Sequence, residues 1–380
     1  MIDLSFTDEQ MAFRDALRKF ARKEIAPLVE EYEERAEYPR FVFKKMAEQG
    51  YLGARFPAEY GGSGGDTMFS VIMSEELAAV SAGIYLGIYV HLYLALSGIL
   101  LFGSEDQKRK YLVPGIQGDL IGAWAFAEPG AGSDPGSMKT RARRDGDDFI
   151  ITGTKMFITN GTFADFVVVT AVTDPALGMK GISLLIVDKD TPGFFASRKL
   201  KKMGMKSSEA AELVFDDCLV PASNMLGAEN TGFAAAMGTL TEGRIVAAAF
   251  AVGIARAAYE AALKYAKERY QFGQPIGKFQ GIQWMLADMA TRVEASKLLT
   301  YQAAWLASRG AAHIKEASMA KLYATEAASK ICAQAVQIHG GYGFMDEYPV
   351  SRFYRDCKLL EIGEGTSQIH RNTIARTIGL

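Results

Sequence analysis

The sequence predicts an α+β protein that is mainly α. It divides into an N-terminal helical domain (1–118), a middle antiparallel β domain (119–228) and a C-terminal four-helix bundle that ends in a loop and a short helix (229–380). Three observations predict this. Apolar residues recur at helical spacing through the first part of the chain. From Leu120 to Pro221 the pattern changes to short β-branched and aromatic runs, and from about Gly232 long alanine-rich helical periodicity returns.

Met11, Phe13, Leu17 and Phe20, then Ile25 and Leu28, form the first apolar stripe, and Thr7 followed by Gln10 is a capping box at its start. The opening Met1 to Glu9 carries early acidic residues and no basic, hydrophobic leader, so it reads as an intact start. From Leu77 to Ser104 there is no Asp, Glu, Lys or Arg, which is long enough to cross a bilayer. Ser81, Gly83, Gly87, His91 and Ser97 interrupt that run, acidic residues flank it, and no basic flank marks a cytoplasmic side. The favoured reading is two helices broken near Ala82-Gly83, the second buried on nearly all faces, and a transmembrane segment is the alternative.

The strand runs are Phe149 to Thr152, Phe166 to Thr170, Ile182 to Val187 and Leu213 to Phe215, with Asp145-Gly146 as a hairpin signal before the first. Ala234 to Tyr270, Gln280 to Ser308 and Ile314 to His339 then read as long helices, the last two separated at Gly310. Their small residues let neighbouring helices approach closely, as in a bundle.

Composition narrows the function. A net charge of -2 and the lack of any long Lys or Arg block leave no footprint for nucleic acid or a membrane surface. Cys218, Cys332 and Cys357 are odd in number and far apart, which fits reduced thiols in a cytoplasmic or matrix-like compartment, the cytoplasm favoured. The four histidines show no metal-ligand spacing, and no metal is expected.

The densest candidate site lies in the last thirty residues. Glu364 stands between Gly363 and Gly365 in the run Glu361 to Gln368, after a basic and aromatic approach from Arg352 to Asp356 and before a short helical pattern from Ile369 to Ile378. Flanking glycines let the backbone turn sharply and approach a ligand, which is how a general base is presented. A solvated loop carboxylate would have the same local sequence.

Ala125-Phe126-Ala127-Glu128-Pro129-Gly130-Ala131-Gly132-Ser133-Asp134 resembles the first signature of the acyl-CoA dehydrogenase family, and Gln337-Ile338-His339-Gly340-Gly341-Tyr342-Gly343-Phe344 resembles the second. Lys155 to Gly161 and Arg269 to Gly273 lie between them at family-like positions, so the resemblance spans essentially the whole chain. It implies FAD as cofactor. Phe126, Ala127, Phe157, Ile158 and Thr159 would line the isoalloxazine ring, with Phe157 as an aromatic wall and Thr159 near the hydride-accepting nitrogen. Arg269, Phe272 and Gln280 would reach the FAD diphosphate and adenosine of a neighbouring subunit, with Gln337, Gly340 and Gly341 completing that site and Thr366 and Gln368 also on the cofactor. Each has a plainer reading: a β-domain core residue for Phe157, a tight turn for the Pro129 to Ser133 loop, a helix C-terminal charge for Arg269.

The resemblance further implies α,β-dehydrogenation of an acyl-CoA to its trans-enoyl-CoA, with Glu364 taking the α-proton. The thioester carbonyl would be polarised by the Glu364 N–H and a ribityl hydroxyl of FAD. Ser133 and Arg244 would meet the CoA side, Gly363, Gly365 and Tyr93 the acyl group. A homotetramer and an electron-transferring flavoprotein as acceptor are carried over in the same way. An acyl-CoA oxidase, or a non-catalytic flavin-binding or assembly protein on the same fold, is the rival reading.

Two positions depart from the pattern. Ala127 replaces the usual hydroxyl residue before Glu128, which removes a hydrogen bond to the flavin. Gly363 stands where straight-chain enzymes of the family commonly carry tyrosine, and this favours short branched or alicyclic acyl groups, with His91, Leu92, Tyr93 and Leu96 expected to help wall the cavity. Some relatives carry the base at the position aligned with Gly243, which has no side chain to serve here.

Overall fold

The computed structural model describes residues 4–380, so Met1 to Asp3 of the opening segment lie outside the described residues. The N-terminal helices are α1 (Asp8–Phe20), α2 (Val29–Arg35), α3 (Phe41–Glu48), α4 (Thr67–Val80), α5 (Ala82–Tyr89), α6 (Ser97–Phe102), α7 (Glu105–Gln107) and α8 (Val113–Ile116). The expected capping box begins α1: Gln10 N donates to Thr7 Oγ1 at 3.2 Å and Thr7 N to Gln10 Oε1 at 3.1 Å.

The uncharged run breaks at Ser81, which takes an extended conformation to end α4, while its hydroxyl accepts from Ile84 N at 3.2 Å and caps α5. A π-helical segment, Val90–Leu96, joins α5 to α6. The span Ala82–Phe102 is long and apolar enough to cross a membrane, but 89% of its most apolar window is buried inside the protein. Its glycines show why. A Cβ on Gly83 would lie 2.2 Å from Ser207 Oγ, and one on Gly87 2.4 Å from Tyr38 Cε2, so other segments sit directly on the helix.

The sheet strands are β1 (Gly122–Ala125), β2 (Arg141–Asp145), β3 (Asp148–Thr159), β4 (Phe166–Val172), β5 (Ile182–Asp188), β6 (Phe194–Lys199), β7 (Ala210–Pro221) and β8 (Met225–Leu226). Their order is β6-β7-β3-β2-β4-β5-β8, with β1 added on β4. Asp145 pairs with Asp148 across the predicted hairpin, where Gly146 takes φ 61. Most pairings are antiparallel, but β1 runs parallel to β4 with Gly122 opposite Phe166. Both faces of β4 and β5 are covered. Val167, Val169, Leu185 and Val187 enter the sheet's own core, while Phe166, Val168, Leu184 and Ile186 join the core shared with the helices.

The C-terminal part holds α9 (Gly232–Glu268), a two-stranded ribbon of β9 (Tyr270–Gln271) and β10 (Gln274–Pro275), then α10 (Gln280–Ser308), α11 (Ile314–His339), α12 (Pro349–Cys357) and α13 (Ser367–Thr377). The basic and aromatic approach to Glu364 is thus helix α12, with Pro at its first position. Small residues bring α4 against α9: a Cβ on Gly253 would lie 2.5 Å from Glu75 O, and Ser74 Oγ donates to Val246 O at 2.9 Å. Glu76 on α4 pairs with Arg18 of α1 at 2.8 Å and Arg256 of α9 at 3.2 Å, tying three helices together.

Candidate active site

The loop carrying Glu364 is set by the end of α12. Leu359 O accepts from Ile362 N at 3.0 Å and Gly363 N at 2.8 Å, closing a turn. Glu364 then takes φ 55, Gly365 φ 96, and Thr366 Oγ1 caps α13 by accepting from Ile369 N at 3.4 Å. A left-handed conformation at a residue with a Cβ is unfavourable by roughly 1 kcal/mol or more, and such strain gathers at functional positions. The turn aims the carboxyl inward. The residue as a whole is partly buried, yet both carboxyl oxygens are fully buried and accept no hydrogen bond.

Their surroundings come from distant parts of the chain. Gly243 of α9 lies directly opposite: a Cβ there would stand 3.0 Å from Glu364 Oε2 and 3.3 Å from Oε1. Tyr89 lies beside the carboxyl and donates its hydroxyl proton to Gly243 O at 3.0 Å. Lys321 of α11, fully buried, donates to Gly365 O at 2.6 Å and pins the loop. Arg244, mostly buried, carries no ion pair among the described residues, and its Nε is unpartnered. His370 is buried beside Gly365, a Cβ on which would lie 3.3 Å from His370 Nε2, and neither ring nitrogen is in hydrogen-bond geometry.

Burial dominates the electrostatics. It pushes Glu364 up to about 7, against the opposing pull of Tyr89, Lys321 and Arg244. Desolvation lowers Lys321 to about 8, His370 to about 3, and Arg244 from its ordinary range. The result is a carboxyl poised near neutrality in a desolvated enclosure, which suits proton abstraction from a weak carbon acid.

Tyr89, Lys321 and His370 were not singled out from sequence. Lys321 left a signal, because it shares helical spacing with buried Ala317, Ala324 and Ala328 and so sits on a core-facing stripe. Tyr93 is buried one turn beyond Tyr89, its ring 5.6 Å away. His91, expected to wall an acyl cavity, is committed elsewhere. Its Nε2–H donates to Gly115 O at 3.1 Å, its Nδ1 accepts from Gly122 N at 3.0 Å, and its ring meets Phe43 edge-on at 5.2 Å. Leu96 also packs on Gly115, where its Cδ2 would be 2.6 Å from an added Cβ. Leu92 is buried in the same core. Gly363, by contrast, has room: an added Cβ would meet only Leu359 O, at 3.5 Å.

The residues implied to hold a flavin fall into two groups. In the sheet, Ala127 O accepts from Met156 N at 2.8 Å, and Phe126 O from the buried Lys155 Nζ at 3.2 Å. Lys155 also pairs with Glu128 at 2.9 Å, and Glu128 accepts from the N–H groups of Lys139 and Thr140, so the glycine loop carrying exposed Ser133 is anchored at both ends. A bulge between Lys155 and Ile158 throws Phe157 outward at φ 65, 69% exposed. Phe157 is therefore a surface ring, not a core residue. The Ile158 side chain points into the sheet core, which leaves only its backbone for a ligand, and Thr159 is half-buried at the strand end.

The second group is at the far end of the bundle. Arg269, Gly340 and Gly341 line a groove of about 490 Å³ with Tyr265 and Tyr342. The Arg269 guanidinium lies 5.5 Å from the Tyr342 ring centroid and has no carboxylate partner among the described residues. An unpaired guanidinium beside open glycine backbone fits a diphosphate. Gln337, Phe272 and Gln280 are exposed and outside that groove; Phe272 is 93% exposed. Thr366 serves its helix as cap, and Gln368 is exposed.

Comparison with known proteins gives family matches along the chain: the acyl-CoA dehydrogenase N-terminal domain at residues 7–119, the middle domain at 123–218 and the C-terminal domain at 230–379. A probable acyl-CoA dehydrogenase of Bacillus subtilis, YngJ, is 46% identical over 99% of this chain and 100% of its own. Butyryl-CoA dehydrogenase from Megasphaera elsdenii superposes with a TM-score of 0.97 at 41% identity, covering 99% of this chain and 100% of that one. A chain from the structure of the electron transferring flavoprotein of Acidaminococcus fermentans does so with 0.97 at 44% identity, over 100% of both.

Proposed function

The chain belongs to the acyl-CoA dehydrogenase family and is an oxidoreductase of that family, and we propose that it dehydrogenates a short acyl-CoA across the α and β carbons, with FAD as cofactor. The observation that carries this is the Glu364 carboxyl, buried without a hydrogen-bond partner and pushed up to about 7 by desolvation. In water a carboxylate is too weak a base for an α-proton. Here burial raises its basicity, and the Glu364 N–H, which meets no acceptor among the described residues, is free to polarise the thioester carbonyl. Lys321 holds the loop through Gly365 O, and the positive charges of Lys321 and Arg244 keep the ionised base tolerable in a dry site.

FAD supplies the hydride acceptor for the β-carbon hydrogen. Phe126, Ala127, Phe157 and Thr159 would hold its ring, and Arg269 with Gly340 and Gly341 its diphosphate. The outward Phe157 ring and the unpaired Arg269 support that assignment. Ser133 and Arg244 would meet the CoA portion.

Short substrates are supported by the butyryl-CoA dehydrogenase similarity, and branched or alicyclic ones by the open space at Gly363. An electron-transferring flavoprotein is the proposed acceptor, in keeping with the Acidaminococcus structure. A cofactor reached from a neighbouring subunit would make the protein an oligomer, with a tetramer proposed. The exposed rings of Tyr270, Phe272, Trp284 and Phe344 near the Arg269 end support a covered surface there. A bacterial relative supports a cytoplasmic location.

Anaerobic mixing with butanoyl-CoA tests the reading. The wild-type flavin bleaches, and Glu364→Gln keeps its FAD but reduces it slower by several orders of magnitude, on the order of what loss of an essential base costs. Near wild-type bleaching by that variant would overturn the role of Glu364.

A further inference from the structure

The helix facing Glu364 carries a row of hydroxyl groups, and not all of them make a well-formed hydrogen bond. Tyr85, Tyr89 and Tyr93 recur every four residues, so they share one side of α5 and its π-helical continuation. Their rings pack in sequence, Tyr85 to Tyr89 at 6.1 Å and Tyr89 to Tyr93 at 5.6 Å, and Phe250 of α9 closes on Tyr85 at 4.8 Å. Ser70 and Ser74 of α4 neighbour the same hydroxyls.

Two of these five hydroxyls are spent on the backbone: Tyr89 on Gly243 O at 3.0 Å, at the Glu364 end, and Ser74 on Val246 O at 2.9 Å. The other three lie near one another and near Ser74 but make no well-formed hydrogen bond to oxygen or nitrogen. Tyr85 and Ser70 are each 1% exposed with unpartnered hydroxyls, and Tyr93 reaches only Met73 Sδ, at 3.7 Å. A buried hydroxyl without a partner is unfavourable, and phenylalanine and alanine would fill the same space without that cost. A pocket built only for hydrocarbon has no use for these groups.

Resting on the acyl-CoA dehydrogenase reading, we infer that the acyl group carries an uncharged hydrogen-bonding oxygen beyond its β-carbon, a hydroxyl, phenol or ketone, and that Tyr85, Tyr93 and Ser70 select for it. Charge decides the "uncharged". The Arg55 guanidinium lies 5.4 Å from the Tyr93 ring and is already taken by Glu242 and by Ser97 Oγ at 2.7 Å. A terminal carboxylate beside Tyr93 would find Arg55 already paired, Arg244 being assigned to the CoA portion, and would be repelled by Glu364. A terminal ammonium would pair with Glu364 and remove the base.

The test is kcat/KM on the FAD-loaded enzyme with two matched pairs: butanoyl-CoA against 4-hydroxybutanoyl-CoA, and 3-phenylpropanoyl-CoA against 3-(4-hydroxyphenyl)propanoyl-CoA. The oxygenated member is preferred at least ~10-fold in one pair, because a site built to bond an oxygen rejects the analogue lacking it. Tyr85→Phe cuts that preference toward parity, and Ser70→Ala reduces it by a smaller factor. An apolar member turned over as well or better in both pairs, or a preference that neither substitution moves, overturns the inference and leaves the dehydrogenase reading standing. Flavin bleaching by none of the four overturns both.

Discussion

Gly243 and Glu364 meet face to face across the site: a Cβ on the glycine would stand 3.0 Å from one carboxyl oxygen and 3.3 Å from the other, although 120 residues of chain lie between them. The two backbones therefore address one point in space. A glutamate placed at either position can deliver its carboxyl there, provided the other position is empty.

That geometry predicts a rescue. Glu364→Gly alone abolishes flavin reduction, and adding Gly243→Glu restores it at least ~10-fold over the single variant, since a positioned general base is worth roughly two orders of magnitude or more. Stopped-flow bleaching by butanoyl-CoA measures both; equal rates would show that the two positions do not converge functionally.

The raised Glu364 predicts two pH dependences. The base works only when ionised, so the reductive half-reaction rises with pH through about 7 in the wild type. Stability runs the other way. With its folded pKa near 7 and an unfolded value of about 4.3, Glu364 binds more protons folded than unfolded across that window, so its contribution to stability is lost as pH rises through it. Glu364→Gln is then more stable than wild type at pH 8, by up to about 4 kcal/mol, and the difference narrows as pH falls and closes only below about pH 4. Thermal melts at both pH values check it, and a constant offset would contradict the burial account.

Arg269→Ala is expected to loosen FAD and weaken the assembly together, because its unpaired guanidinium would serve a cofactor reached across subunits. Gel filtration with and without added FAD reads the outcome. A fully flavinated, undissociated variant would rule out the shared site.

Gly363→Tyr is accommodated by the loop, since Gly363 needs no positive φ and an added Cβ meets only Leu359 O at 3.5 Å. The ring should fill space beside the α and β carbons and shift the kcat/KM ratio toward straight over branched acyl-CoA by ~10-fold or more, the scale of steric exclusion in a packed pocket. An unchanged ratio would remove Gly363 from the determinants of substrate shape.

Sequence by itself determined what local chemistry governs. Thr7 and Gln10 specify the start of α1, Asp145-Gly146 the β2–β3 hairpin, and Gly310 the break between Gln280–Ser308 and Ile314–His339, because caps, tight turns and helical periodicity act over a few residues. The glycines around Glu364 likewise marked a presented carboxylate. Only the tertiary structure decided what that carboxylate meets. Tyr89, Gly243, Lys321 and His370 come from four separate helices, and nothing in their own neighbourhoods says that they share one enclosure with Glu364. The same limit explains the misplaced His91, whose two ring nitrogens are taken by Gly115 and Gly122, and the parallel β1, which pairs with a strand more than forty residues on. The shift of Glu364 to about 7 is likewise a property of desolvation, which exists only once distant helices have closed around it.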